Sequence, residues 1–288
     1  MLPPPDQKVC AICKGTGWKP VDSNGVERVG RCDCWRGSQL ARLVDAIQIP
    51  PRYRHCTLDN LMSYANEGLT NAVGKARRFA EAFPVVDKGL FFIGPPGIGK
   101  THLSVALLRH AVKDKGATGL FCDVPELLKT IRHTYSAVTK TAEVEVLRPV
   151  MDVDLLVLDD LGKERTTEWV EETLNLVVNA RYNAKRATIF TSNFEEKEDR
   201  TDPDSLLARV GFRMHSRLYE MCDFVEFEGA DYRHRPPNAG ADDLLAMWKM
   251  SRGKPRLPAR SAGQARAQLR GGEGKADLKW PGGRAGSK

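Results

Sequence analysis

From about residue 67 to residue 235 the chain alternates short apolar runs with amphipathic stretches. The apolar runs are GLFFIG (89–94), TGLFCDV (118–124), VDLLVLDD (153–160), ATIFTSN (187–193) and DFVEFEG (223–229). Runs this short, separated by longer amphipathic segments, predict an α/β fold with a five-stranded parallel sheet between helices. Trp169, Val170, Leu174, Val177 and Val178 recur at helical spacing, which predicts a surface helix over 166–183 with one buried stripe. A short helical pattern from Leu40 ends at the Pro50-Pro51 breaker. After residue 236 the text turns to Pro, Gly, Ala and Arg, and Trp280 is the only aromatic past Trp248. Such a stretch cannot bury enough surface to offset its ordering entropy, so it reads as a disordered tail. No internal repeat is present. The expected division is a Cys-rich module at 1–36, a linker at 37–66, the α/β domain at 67–236 and a basic tail at 237–288.

With 288 residues, 41% of them hydrophobic and 7% aromatic, the chain can build one sizeable core with appendages. The formal charge of +7 suggests a nucleic-acid binder until its location is considered. Residues 251–288 carry ten Lys/Arg against Glu273 and Asp277, a segment charge of +8, so residues 1–250 sum to −1. The tail can hold DNA through salt-sensitive phosphate contacts or simply keep the protein soluble, and its sequence does not separate the two. No apolar run approaches the roughly 20 residues of a membrane span, and the start MLPPPDQK lacks the basic and apolar regions of a signal peptide. The expectation is a cytoplasmic protein without a membrane partner, in which cysteines serve metal binding or inert burial.

Gly94, Pro95, Pro96, Gly97, Ile98, Gly99, Lys100 and Thr101 match G-x-x-x-x-G-K-[ST] in full, directly after one apolar run and, with His102, opening a helical one. Each part has a purpose. Glycines let backbone N–H groups close round phosphates, the helix N-terminus adds its positive end, Lys100 reaches the β/γ-phosphates and the Thr101 hydroxyl ligates Mg²⁺. The residues from Gly94 to His102 are therefore the expected ATP site. A second element should end another strand with a metal-holding acid, and LLVLDD (155–160) has that form. Asp159 would hold Mg²⁺ through water. Asp160 either orients and deprotonates the attacking water or caps a turn. Asn193, at the end of a further run, can face a γ-phosphate or belong to a plain turn. Arg213 and Arg217 share one face of a helical stretch, as a phosphate-directed pair or as a solvated face with an Arg217–Glu220 pair.

Cys10-x-x-Cys13 and Cys32-x-Cys34 supply four thiolates, the number that a tetrahedral structural Zn²⁺ requires. A segment this short lacks its own core, so metal binding would supply its folding energy. The second pair is tightly spaced, which leaves His55-Cys56 open as a source of a replacement ligand. Cys122 and Cys222 fall in or beside apolar runs and read as inert core residues.

Together GPPGIGKTHL (94–103), LLVLDDLG with Thr167-Glu168-Trp169, TSN (191–193), SRLYEMC (216–222) and EGADYR (228–233) resemble the AAA+ ATPases of the DnaC/DnaI helicase-loader group, which also contains the IstB-like transposition ATPases. The resemblance covers roughly residues 40–235. It implies a P-loop NTPase of the AAA+ type, with Asn193 as sensor I, Arg217 as an arginine finger acting on a neighbouring subunit and Arg233 as the sensor II arginine. Arg213 competes with Arg217 for the finger. It further implies a self-oligomer in the ATP state that grips single-stranded DNA and delivers a replicative DNA helicase. DnaI-type loaders carry an N-terminal zinc module that contacts the helicase, as residues 1–36 would here. Lys129 to Lys140, with Arg132, His133 and Tyr135, offers positive charge and a stacking ring for a single strand, or is merely solvated. The alternative within the fold is a transposition ATPase that assembles on DNA and recruits a transposase. A small-molecule P-loop kinase and a nucleotide-dependent adapter with negligible turnover are the readings outside it.

Overall fold

The computed structural model describes residues 10–14, 16, 18–23, 26–135, 143–197, 199, 202 and 204–251; several side chains between 18 and 40, Cys34 among them, lie outside that description. The described chain begins with an antiparallel hairpin, β1 (Trp18–Ser23) and β2 (Val26–Arg31), paired from Trp18↔Arg31 to Ser23↔Val26. Helix α1 (Asp33–Ala46) follows, tied to β1 by the Lys19–Asp33 ion pair at 2.6 Å. The α/β part runs α2 (Glu67–Ala82), β3 (Gly89–Ile93), α3 (Lys100–Lys115), β4 (Gly119–Asp123), α4 (Val124–Thr134), α5 (Glu143–Asp152), β5 (Leu155–Asp159) and α6 (Glu168–Asn183). It continues with β6 (Ala187–Ser192), α7 (Leu206–Val210), α8 (Phe212–Met221), β7 (Cys222–Glu226) and α9 (Ala241–Ser251). The five strands β3–β7 form a parallel sheet in the order β4-β5-β6-β3-β7.

Because side chains alternate across a strand, each apolar run feeds two cores at once. Leu90 and Phe92 join Phe121, Leu155, Val157, Ile189 and Val225 under α2 and α3. Phe91 and Ile93 join Leu120, Leu156, Leu158 and Phe190 under α4 to α8. Polar residues at the helix starts close the orphan amides: Asn66 accepts from the Leu69 N–H, Asp123 from Glu126 and Thr167 from Val170. All five expected strands occupy their places, and the helix expected at 166–183 is α6, with Val170, Leu174, Val177 and Val178 buried and Trp169 half-buried. No helix among the described residues is long and apolar enough to cross a membrane.

Two segments depart from the sequence expectation. The stretch expected as a linker starts within α1 and continues into the core, where Ile47, Cys56 and Tyr64 are buried. The Ile47 carbonyl accepts from the Phe121 N–H of edge strand β4 (2.8 Å), and the Tyr64 hydroxyl accepts from the Ala230 N–H (2.6 Å). Such contacts bridge more than 70 residues of chain and leave no local periodicity to read. Helix α9 lies within the segment that composition assigned to the tail. Its Leu244 is fully buried and Leu245, Met247 and Trp248 pack on the same core, an apolar burst masked by the Pro- and Arg-rich text around it. Residues 252–288 lie outside the described residues.

Arg181, on α6, is 1% exposed. Its guanidinium donates to the carbonyls of Val150 (3.1 Å), Met151 (3.2 Å), Val153 (2.9 Å) and Ala187 (2.6 Å), and to the Thr188 hydroxyl (2.8 Å). It thereby joins the end of α5, the approach to β5 and the start of β6. An apolar residue of similar length would strand these buried carbonyls, so Arg181→Met should lower stability by about 3 kcal/mol in urea unfolding.

Candidate functional site

The loop between β3 and α3 sits at the carboxyl end of the sheet. Gly97 (φ 82°) and Gly99 (φ 102°) hold conformations that a side chain disfavours, and a Cβ on Gly97 would lie 1.8 Å from Asp231 Oδ1. The Tyr232 N–H donates to the Gly97 carbonyl (3.0 Å), so the turn bearing Arg233 is stitched to this loop. Ile98 is buried beneath it.

Lys100 is 5% exposed, and its ammonium donates to the carbonyls of Gly94 (2.7 Å) and Pro95 (2.8 Å) and to Asn193 Oδ1 (2.6 Å). Burial pushes it down to about 8, against the attraction of Asp160 and Asp159. Opposite, Thr101 Oγ1 lies 3.0 and 3.1 Å from the two oxygens of Asp159, which also accepts from the Thr191 hydroxyl (2.6 Å). Burial raises Asp159 to about 6, although the hydrogen bonds from Thr191 and Thr101 pull the other way. The same Thr191 hydroxyl accepts the Asp160 N–H (2.9 Å), so one side chain sets the register of both acids. Thr191 belongs to the TSN motif, but its tie to both acids depends on β5 and β6 lying side by side and has no local signature in the sequence. Asp160 has a left-handed backbone (φ 61°), and its carboxylate takes Asn193 Nδ2 (3.3 Å) and Lys163 Nζ (2.8 Å).

Lys100, Thr101, Asp160 and Asn193 face a cleft of about 560 Å³, while Asp159 and Thr191 are buried and meet it only through their hydrogen bonds to Thr101 and to the Asp160 N–H. Pro96, Gly97, Gly99, Lys100, Thr101, His102, Asp160, Asn193 and Arg233 line it, joined by Tyr232 and Arg235. The facing wall comes from Arg52, Tyr53, His55, Cys56, Asn60, Leu61 and Met62, all within the segment expected as a linker. His102 Nε2 lies 3.0 Å from the Thr57 carbonyl and Arg109 donates to the Cys56 carbonyl (3.0 Å), so α3 itself latches this wall. Arg217 is not among the cleft-lining residues: it lies half-buried on α8 and donates to the Arg213 carbonyl (3.1 Å), while Glu220 takes the Tyr182 hydroxyl (2.7 Å).

At the N-terminus the sulfurs of Cys10, Cys13 and Cys32 lie within 4.8 Å of one another, Cys10 and Cys32 at 3.9 Å. Thiolates about 2.3 Å from a tetrahedral zinc stand about 3.8 Å apart, so this trio fits such an ion with little movement. A tight turn holds the first pair: the Lys14 N–H donates to the Cys10 carbonyl (2.8 Å) and the Thr16 N–H to that of Cys13 (2.9 Å). Cys34 falls in the first turn of α1, its side chain outside the described residues. His55 and Cys56 both line the cleft, and neither is part of the Cys10–Cys13–Cys32 cluster. Cys222 is buried in the core and its thiol is raised by that burial; Cys122 is half-buried by residue, its thiol pushed up to about 12.

On another surface, Arg132 at the end of α4 stacks 4.6 Å over the Trp169 ring, and Tyr135, 57% exposed, meets that ring edge-on at 6.4 Å. Residues 136–140 of the expected basic segment lie outside the described residues.

A carboxyl raised from 3.8 to about 6 stabilises the fold in its protonated form; that contribution is complete below pH 3.8 and is lost as pH rises through 6. In metal-free protein, Asp159→Asn should therefore exceed wild type in stability by about 3 kcal/mol at pH 8, with most of the difference gone near pH 4, as read by urea unfolding at the two pH values.

Residues 80–239 match the family described as IstB-like ATP binding protein. The replicative helicase loader DnaC of Escherichia coli (strain K12) is 29% identical over 163 residues, 56% of this chain and 65% of DnaC. The chain thus spans just under two thirds of the length of such curated relatives. A crystal structure of the DnaC helicase loader superposes with a TM-score of 0.55 at 34% identity, over 62% of this chain and all of that one. The crystal structure of DnaI gives 0.53 at 25% identity, over 66% of this chain and 98% of that one. With its phosphate-type loop, its paired acids and its sheet order, the chain belongs to the IstB-like ATP-binding family and has the AAA+ fold of the DnaC/DnaI helicase loaders.

Proposed function

We propose that this protein is an ATP-hydrolysing helicase loader, placing a replicative DNA helicase on single-stranded DNA. The observation that carries the reading is the convergence of Lys100, Thr101, Asp160 and Asn193 on one cleft, with Asp159 buried against Thr101, in a chain similar to DnaC and DnaI. The loop from Gly94 to His102 binds the phosphates, and Lys100 exchanges its carbonyl partners for β/γ oxygens, recovering the charge that burial disfavours. Thr101 and Asp159 would hold Mg²⁺, whose charge would offset that of the phosphates. Asp160 orients the attacking water and accepts its proton, Asn193 faces the γ-phosphate, and Arg233 reaches the phosphates from the turn stitched to Gly97. Arg217, set apart from its own cleft, acts on ATP in a neighbouring subunit of the oligomer. Arg132, Tyr135 and Trp169 offer a cation and two rings to a single DNA strand. Cys10, Cys13 and Cys32 with Cys34 hold a structural zinc, and the module they fold docks the helicase. The description of the matched family also supports the transposition reading, in which the same ATPase recruits a transposase.

Affinity capture on full-length protein with ATP, from a lysate of the source organism, separates the two. Recovery of a hexameric helicase is expected, with about one zinc per chain; the Cys10→Ser/Cys32→Ser variant should lose both. Recovery of a transposase would establish the alternative. Arg217→Ala should cut oligomer-dependent ATP turnover by roughly 10³-fold while leaving ATP affinity within about twofold. Loss of affinity in the isolated monomer would rule out action in trans.

A further inference from the structure

The turn after β5 is fixed from several sides. Asp160 (φ 61°) and Gly162 (φ 88°) both take left-handed backbone, and the Lys163 N–H donates to the Asp160 carbonyl (3.3 Å), closing a turn over 160–163. Within it Leu161 is buried, its N–H donating to the Thr191 carbonyl (2.8 Å) and its own carbonyl accepting from the Ser192 hydroxyl (2.9 Å). A Cβ on Gly162 would stand 3.0 Å from the Phe194 ring and 3.1 Å from Arg209 Cβ, so the turn is wedged against the residue that follows Asn193 and against α7. This fixed turn brings both Asp160 and Lys163 to the cleft.

Lys163 Nζ lies 2.8 Å from Asp160 Oδ2, and the other Asp160 oxygen takes Asn193 Nδ2 (3.3 Å), whose amide oxygen takes Lys100 (2.6 Å). A cation, an amide, a carboxylate and a second cation thus run in line across the cleft floor. A phosphate entering at Lys100 competes for both Lys100 and Asn193. Asp160 then loses its amide partner and faces an anion beside the second acid, Asp159. Lys163 is the partner that the phosphate does not reach first. It holds the Asp160 rotamer and offsets the repulsion between carboxylate and phosphate.

We infer that Lys163 is a positioning residue for ATP hydrolysis, anchoring Asp160 toward the attacking water while Lys100 and Asn193 turn to the phosphate. The inference rests on the hydrolytic reading above. Lys163 is 58% exposed, so its pairing adds little to fold stability and its removal should act on the geometry of Asp160.

The test uses full-length protein with wild type, Lys163→Met, Lys163→Arg, Asp160→Asn and the Asp160→Asn/Lys163→Met double variant. Steady-state and single-turnover ATP hydrolysis are measured beside the Kd of a fluorescent ATP analogue and the melting temperature. Lys163→Met should lose roughly tenfold in kcat, with Kd within about twofold and melting unchanged, and Lys163→Arg should keep most of the activity. In the Asp160→Asn background the Met substitution should add no further loss, because the side chain it anchors has gone. Wild-type kcat in Lys163→Met, an equal loss of kcat and nucleotide affinity, or losses that multiply in the double variant would each overturn the inference. A wild-type protein that binds the analogue but does not turn over ATP would instead remove the hydrolytic reading, and the role of Lys163 with it.

Discussion

A lysine and a carboxylate are costly to take out of water, and this fold does so with Lys100 and Asp159 at the carboxyl edge of its sheet. Neither charge is paired directly with the other. Lys100 is solvated by two loop carbonyls and an amide, and Asp159 by two threonine hydroxyls, one from the loop helix and one from the neighbouring strand. Each is thereby held in a state that a phosphate or a divalent cation would improve: Lys100 sits well below its ordinary value and Asp159 well above. The remaining architecture keeps these substitutes for water in place. Parallel strands bring β3, β5 and β6 to one edge, and the cores on both faces make that edge rigid.

The cleft is closed from the other side by chain that precedes the α/β domain in sequence. The end of α1 is pinned to β4, Cys56 and Tyr64 are buried in the core, and His102 and Arg109 reach from α3 to hold the intervening wall. The cysteine cluster is covalently continuous with this wall, since Cys32 precedes the first residue of α1. Tyr232 gives the wall a second tie, its hydroxyl donating to the Met62 carbonyl from the turn that also carries Arg233.

The strands, α6 and the loop from Gly94 to Thr101 were legible because each is written locally. An apolar run bounded by helical periodicity reports burial on two faces, and the phosphate-type loop needs its residue types at fixed spacing whatever surrounds it. Asp159, Asp160 and Asn193 were legible for the same reason, as polar residues closing apolar runs. The wall at 52–62, the seating of α9, the role of Thr191 and the approach of Lys163 to Asp160 have no local signature. They depend on which strand lies beside which, and on contacts between residues far apart in the chain. Sequence by itself determined the chemistry that these residues can perform, since that is a property of each side chain and its immediate neighbours. Only the tertiary structure decided which of them share a cleft, because sheet order and turn packing, not position along the chain, set the distances between charged groups.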